Sequence, residues 1–467
     1  MIDTPVLERV LGEALRHGGD FAEVFAEDRE TSSAMLDDGR VEELSSGRDR
    51  GAGIRVVAGE TTGFAHTADL SEAGLVRAAV AASAVAQGGG GGTATVVAGL
   101  AGKGSSGAGP SGRGPSGRGP SAKADSLALL RRADEAGRSA GGAITQVQAG
   151  YGGSRRQVLV ANSEGLLARD EQVRTRFSVS CVAEGDTGLQ TGFESAARTV
   201  GFELFDEVSV EELAGLAARR ALSKLSARPA PSGEVPLVLA GGSGGILFHE
   251  ACGHGLEADH IVKDASVYVG QVGQQVASPL VTLVDDGTVG REWGTFAFDD
   301  EGRPAQRNVL IENGVLTEYL WDYLRARKEG RRSSGNGRRQ SYQHLPMVRM
   351  TNTFLLPGEE DADEIVAQTP RGVYVAKLGG GQVNTTTGDF VFGTTEAYLI
   401  EGGRITEPLR DANLIGNGPE ILRRIDAVAT DFAMTPGTCG KDGQSVPVGC
   451  GQATLRITGV TIGGTSE

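Results

Sequence analysis

Cysteine, histidine, aromatic residues and positive charge are all scarce in this chain, and each scarcity excludes something. Four cysteines in 467 residues, Cys181, Cys252, Cys439 and Cys450, are too few and too scattered for the disulfide framework of a small secreted protein. No apolar run approaches the roughly 20 residues of a membrane span. The opening Met1-Ile-Asp-Thr-Pro5 lacks the basic and apolar regions of a signal peptide. Lys and Arg total 45 against 60 Asp and Glu, a net charge of −15, which argues against general nucleic-acid or anionic-membrane binding. The expectation is a soluble cytoplasmic protein with no nucleic-acid and no membrane partner. Its length allows two or three domains with sizeable cores.

Glycine is abundant instead, at 72 residues, which implies turns, bulges and close backbone approaches. Residues 4–17 carry apolar side chains at helical spacing up to Gly18-Gly19, and Ser71 opens a second helix. Short strands are expected at 21–26 and 53–57. From 88 to 121 the chain is almost entirely Gly, Ser, Ala, Pro and Thr, an insertion too poor in apolar groups to order itself. Alternation resumes at 157–162 and at 173–181, which places Cys181 in a core. Ser209-Val-Glu-Glu212 reads as a capping box, and Ala227 to Gly233 as a domain boundary. Beyond it, strands recur before turn dipeptides such as Asp286-Gly287, Asn313-Gly314 and Gly402-Gly403, a pattern of antiparallel β-structure.

Three of the six histidines lie in one stretch, His249-Glu-Ala-Cys-Gly-His254 and His260. Imidazoles, a thiol and carboxylates are donors that zinc prefers, and a glutamate beside the first ligand is the base a metal-assisted hydrolase uses. A spacing of four would put both histidines on one helix face. Here it is five, about 140° apart on a regular helix. Both reach one metal only if the helix widens into a π-type turn, or ends so that His254, flanked by Gly253 and Gly255, swings back. Candidates for a further ligand are Cys252, Glu257, Asp259 and His260 nearby and Cys439 and Cys450 far off. Cys439 sits in a turn-rich, glycine-flanked stretch that suits an exposed thiolate better than a core cysteine. Spacing does not choose among them. A second feature is a basic run, Arg325, Arg327, Lys328, Arg331, Arg332, Arg338 and Arg339, which suits either an anion or a salt-bridged interface.

Several longer motifs occur in a fixed order: His249-Glu-Ala-Cys-Gly-His254, Gly335-Asn-Gly-Arg-Arg339, Arg349-Met-Thr-Asn-Thr353, Gly379-Gly-Gly-Gln-Val-Asn-Thr-Thr-Thr-Gly-Asp-Phe390, Leu414-Ile-Gly-Asn-Gly418 and Cys439-Gly-Lys-Asp-Gly-Gln444. With these the chain resembles the TldD/PmbA family, metallopeptidases that also carry the name modulators of DNA gyrase, and is most similar to the TldD-like branch. The resemblance covers nearly all of 234–467 and, more loosely, the N-terminal half, as at Gly51-Ala-Gly-Ile-Arg55.

The resemblance implies zinc held by His249, His254 and Cys439, with Glu250 as general base on an activated water. It implies hydrolysis of unfolded or extended peptides or small proteins, and a dimer with a related subunit that lacks the metal motif, or a homo-oligomer. Gly379, Gly380, Asn384 and Arg338 become candidates for substrate binding. Cys450 falls where a small apolar residue is expected, and reads as packing. The rival reading is a non-catalytic binding or regulatory subunit with a structural metal. The expected fold class is α+β. An N-terminal α/β-type domain over 1–230 mixes antiparallel strands and helices and holds the insertion at 88–121. A C-terminal, mainly antiparallel β domain over 234–467 carries the metal-binding helix and is the expected zinc metallopeptidase domain.

Overall fold

Seven strands build the N-terminal sheet: β1 (Phe21–Asp37), β2 (Arg40–Ala58), β3 (Thr61–Thr67), β4 (Ala94–Val97), β5 (Ile144–Asn162), β6 (Leu167–Gly185) and β7 (Gly188–Arg198). Their order is β4-β3-β2-β1-β5-β6-β7. The structure, a computed structural model, describes residues 1–88, 94–97 and 122–463. The short strands expected at 21–26 and 53–57 are the buried ends of β1 and β2, which run for 17 and 19 residues. The first eleven residues of β2 are exposed, so no apolar alternation announces them; pairing with β1 holds them extended instead. Within the insertion, Ala94–Val97 pairs in parallel with β3. The expectation that this segment stays unordered is corrected at these four residues, where Thr95, Val96 and Val97 favour strand. The rest of it lies outside the described residues, apart from Gly88.

One face of this sheet is covered by helices. Leu7, Val10 and Ala14 of α1 (Thr4–Leu15) and the alanines of α2 (Glu72–Gln87) pack on Val24, Ile54 and Val56. Beyond them, α3 (Ala122–Ser139) and, after the short α4 (Leu204–Glu207), α5 (Val210–Leu225) pack on Leu36, Val147, Phe177 and Cys181. Cys181 is a core residue, as its alternation predicts. Ser209 caps α5, accepting the Glu212 amide N–H at 3.2 Å. The helix–sheet approach is close: a Cβ on Gly192 of β7 would lie 1.9 Å from the Ala217 carbonyl oxygen of α5.

The C-terminal half carries β8 (Arg228–Pro229), β9 (Gly233–Leu239), β10 (Leu283–Asp286), β11 (Arg307–Glu312), β12 (Val315–Leu316), β13 (Gly337–Arg338), β14 (Met347–Val348), β15 (Asn352–Leu355), β16 (Arg371–Val383), β17 (Asp389–Glu401), β18 (Arg404–Arg410), β19 (Asn413–Asn417), β20 (Ile425–Val428), β21 (Ala433–Lys441), β22 (Gln444–Gln452) and β23 (Leu455–Gly463). Most pairings are antiparallel, as expected; β9–β16, β8–β18 and β15–β22 are parallel. Pairings β16-β9-β23-β19-β17 return to β16 and close a ring, so these strands leave no outer edge along the paired length. A second sheet runs β12-β11-β10-β15-β22-β21 and ends on the strand that bears Cys439.

The other face of the N-terminal sheet meets this half through buried charge. Glu23 accepts hydrogen bonds from Arg55 at 2.8 Å and from Arg339 at 2.6 Å, and Arg55 also reaches Glu301 at 2.8 Å. Glu27 accepts the Tyr342 amide N–H at 2.9 Å and the Arg156 Nε–H at 2.8 Å. The basic run thus splits: Arg338 and Arg339 are buried, whereas Arg331 and Lys328 stay at the surface. Of the two readings of that run, the salt-bridged interface holds for Arg339. Truncating Glu23 would leave two guanidiniums without their shared partner, and breaking a buried pair costs about 3–5 kcal/mol. Glu23→Ala is therefore expected to lower the denaturant midpoint by a corresponding amount; an unchanged midpoint would show that the two halves do not depend on this contact.

Candidate metal centre

After β9, the glycine loop at 241–245 leads into one helical turn, α6 (Gly245–Phe248), which continues as a π turn over His249–Gly253 and closes with a 3₁₀ turn over His254–Leu256. The His254 N–H donates to the His249 carbonyl, five residues back. This wider turn absorbs the five-residue spacing and brings the two imidazoles together, ring centres 5.2 Å apart and planes 83° apart. Of the two routes open to the sequence, the widened turn is the one used: His254 stays helical, at φ −61° and ψ −33°, and the chain does not turn out of the helix until Glu257. Two glycines, one in α6 and one in the π turn, lie close against their neighbours. A Cβ on Gly245 would lie 2.3 Å from the Gly451 amide nitrogen, and one on Gly253 would lie 2.1 Å from the Met350 sulfur.

Strand β21 brings Cys439 to this turn, its Sγ 3.3 Å from His254 Nε2. Donor atoms of His249, His254 and Cys439 all lie within 4.8 Å of one another. Cys439 is buried, not exposed as its glycine-rich flanks suggested. Its side chain lies among Val446, Val448 and Cys450 on β22. The fully buried Arg349 donates to the Cys439 carbonyl and, at 3.3 Å, to that of Gln444, fixing the end of the β21–β22 hairpin. Both ring nitrogens of His249 are buried and have no hydrogen-bond partner among the described residues. Such an orphaned imidazole calls for a ligand, and two imidazoles with one thiolate are a zinc donor set that leaves a coordination position open. The residues fit the metal.

The surrounding charges orient these donors. His254 Nδ1 lies 2.8 Å from Glu257 Oε2, which leaves Nε2 to face Cys439. Glu257 is in turn held by Lys441 Nζ at 2.8 Å, and Lys441 reaches Asp259 at 2.7 Å. Burial opposes charge on His254, but Glu257 and Cys439 outweigh it and raise its pKa to about 10. Burial likewise opposes a thiolate at Cys439; His249 and His254 reverse this and bring it down to about 4. Glu257, although buried, is kept well below the usual carboxylate range by His254 and Lys441.

Other candidates fall elsewhere. Glu257, Asp259 and His260 form a separate group, in which the Lys441 ammonium already stands between the two carboxylates. Cys252 points into the main core, where burial pushes its thiol up to about 12. Cys450 is buried on the same strand face as Val448, and its thiol is one of the groups that raise the pKa of His249 against the opposing effect of burial. Sequence reasoning did not single out Lys441 or Arg349. Lys441 stands two residues from Cys439 on one strand, hence on the same face, and that spacing is a readable signal.

Glu250 lies beside the pair, its Oε2 3.6 Å from His254 Nε2, and at 24% side-chain exposure it is the one member of this group open to solvent. The proposed substrate residues occupy two places. Gly379 and Gly380 form an irregularity in β16, where Leu378 pairs with Thr394 and Gly381 with Phe392. Asn384 caps the following turn, its side-chain oxygen accepting the Thr386 N–H at 3.0 Å. Arg338 is buried below, donating to the carbonyls of Met350 and Pro447. Two motifs turn out to be a clasp. Asn336, Thr351 and Thr353 all donate to Asp285, at 2.7 to 2.9 Å.

Two buried imidazoles on a widened helical turn, a thiol brought to them by β21 and a glutamate at the mouth make a donor set suited to a metal-dependent hydrolase. Sequence comparison places the chain more closely. Residues 232–464 match the PmbA/TldA metallopeptidase C-terminal domain, 120–225 its central domain and 22–86 its domain 1. The chain is 40% identical to the "Metalloprotease TldD homolog" of Haemophilus influenzae over 96% of its own length and 93% of that protein's. It is 30% identical to the "Zinc metalloprotease TldD homolog" of Saccharolobus solfataricus over 62% of this chain and 64% of that one. Its fold matches the crystal structure of TldE from Thermococcus kodakarensis at 20% identity and a TM-score of 0.75, covering 98% of this chain and 100% of that one. The chain belongs to the PmbA/TldD family and is a metallopeptidase.

Orienting carboxylates of this kind typically change metal affinity by about 10–100-fold. Glu257→Gln should weaken zinc binding by that factor in a chelator competition. Unaltered affinity would remove Glu257 from the account of the site.

Proposed function

We propose that the chain is a zinc-dependent peptidase that hydrolyses unfolded or extended peptides, with His249, His254 and Cys439 as metal ligands and Glu250 as general base. The observation that carries this is the convergence of three buried donors, one of them an imidazole without hydrogen bonds, beside a partly exposed carboxylate. The chemistry that zinc supplies when bound is Lewis acidity toward water and the scissile carbonyl. The chain's own residues do the rest. Glu257 holds the His254 ring by Nδ1 and so aims Nε2 at the centre. Arg349 anchors the Cys439 backbone. Glu250 accepts a proton from the attacking water and returns it to the leaving amine, a role that needs a carboxylate both near the donors and reachable from solvent.

Substrate shape follows from the edge of β16. Its residues 373–375 pair with β9, but β9 ends at Leu239, and no described strand pairs with 379–383 on that side. This free edge begins where the Leu378 N–H donates to Ser243 in the glycine loop that leads to the π turn. An extended peptide can add there as a strand, with Gly379 and Gly380 allowing close approach and Asn384 shaping the turn beyond. Main-chain pairing reads little sequence and rejects folded chains, so unfolded peptides and small proteins are the substrate class. In this reading 234–467 is the catalytic domain and 1–230 the domain that backs it, and a related TldD/PmbA subunit, or a second copy, completes the assembly. Likeness in fold to a TldE structure supports such a partner. No described helix is long and apolar enough to cross a membrane, and all four cysteines are free, which supports a cytoplasmic setting.

Glu250→Gln removes the proton acceptor and leaves the donors in place. General acid–base catalysis contributes about 10²–10⁴-fold, so turnover of an unfolded fluorogenic peptide should fall by that factor while zinc content stays at the wild-type level. Retained turnover would overturn the role of Glu250 and favour the alternative of a structural metal in a binding subunit.

A further inference from the structure

Beside the hairpin that carries Cys439, the two halves of the chain line a partly open cavity of about 240 Å³. From the N-terminal sheet it is lined by Arg29, Arg156 and Arg174, and from the C-terminal half by Arg338 and Arg339; Asp299 and Asp300 are the acidic residues of its lining. Charge balance there is incomplete. Arg174 is 7% exposed and Arg338 4%, yet neither has a carboxylate at ion-pair distance among the described residues. Arg174 donates to the Gln172 side chain at 2.6 Å and to the carbonyls of Trp293 and Thr295 at 3.2 and 3.0 Å. Arg338 donates to the carbonyls of Met350 and Pro447. A third guanidinium, that of Arg156, keeps a buried Nη2 with no partner.

The two acids are already engaged. Asp299 accepts three backbone N–H groups, from Glu301, Arg303 and Gly337. Asp300 meets Arg156 Nη1 at 3.1 Å and the Arg339 amide N–H at 2.8 Å. Burial, followed by the neighbouring Arg338 and Arg156 charges, depresses Arg174 to about 9, and burial depresses Arg338 to about 10. Guanidinium groups otherwise stay charged throughout the accessible pH range. Buried cations ordinarily have partners, and planar guanidinium forks suit carboxylate, sulfate and phosphate oxygens.

We propose that this cavity binds a small oxyanion between the Arg174 and Arg338 guanidiniums. The anion supplies the charge that the chain omits at the junction of its halves, and it borders β22 at Pro447, whose register partner Thr438 precedes Cys439. The chemistry is shared by a free inorganic oxyanion and by the terminal carboxylate of a peptide.

The test uses the full-length, zinc-loaded protein and three probes, each against sodium chloride of equal ionic strength: sodium sulfate, a short peptide with a free C-terminus, and the same peptide amidated. A ligand that binds only the folded chain raises its unfolding midpoint, by about 2 °C or more at saturation for a protein of this size. Sulfate is expected to do so. A further rise with the free-acid peptide and none with the amide identifies the peptide carboxylate as a source, and a sulfate response alone identifies the free ion. Arg174→Met is expected to abolish these shifts. Calorimetric titration of wild type with sulfate gives an independent readout should that variant not fold. No anion response in wild type, or a response unchanged in Arg174→Met, overturns the proposal.

Discussion

One backbone hydrogen bond, from the His254 N–H to the His249 carbonyl, sets the geometry on which the centre depends. An ordinary α-helical turn would point the two imidazoles about 140° apart. The π turn brings them into contact and leaves the intervening Glu250 at the mouth. A turn of this kind is rare and occurs mostly as a single insertion within an α-helix. It is held from outside, by Met350 against Gly253 and by the β22 backbone against Gly245. The strands on which this packing depends also deliver the third donor, since β22 pairs with β21.

Around that turn the charges are arranged in a chain. Lys441 pairs with Glu257, Glu257 with His254, and His254 faces Cys439. Arg349 closes it by donating to the Cys439 carbonyl. Each charge is buried, so each is costly alone and tolerated only as part of the set. This explains why a lysine two residues from the cysteine and a glutamate three residues from the histidine are placed as they are. The same logic governs the junction of the two halves, where Glu23 and Glu27 receive Arg55, Arg156 and Arg339.

Much of this was legible in the sequence, and the parts that were not share a cause. The histidine pair announces itself, and its odd spacing points to a π turn. Cys439 is separated from His254 by 185 residues, so spacing does not find it; only the run of family motifs links the two. Its flanking glycines read as exposure because sequence does not show that β22 and Arg349 cover it. Arg338 and Arg339 read as part of one basic loop, since their surroundings include Glu23, Trp293 and Pro447, all remote in the chain. The polar lengths of β1 and β2 carry no apolar alternation and owe their extension to each other. In each case the missing signal is a contact with residues remote in the chain, whereas local turn chemistry, capping at Ser71 and Ser209 and the core position of Cys181 were readable.

In the proposed centre two imidazoles and one thiolate hold a metal, with a position left for water. X-ray absorption at the zinc edge of the purified chain tests it most directly. One sulfur at about 2.3 Å and two imidazole nitrogens at about 2.0 Å are expected, completed by an oxygen donor. Two sulfurs would mean that Cys450 closes the shell and that the site is structural; no sulfur would remove Cys439 from it altogether.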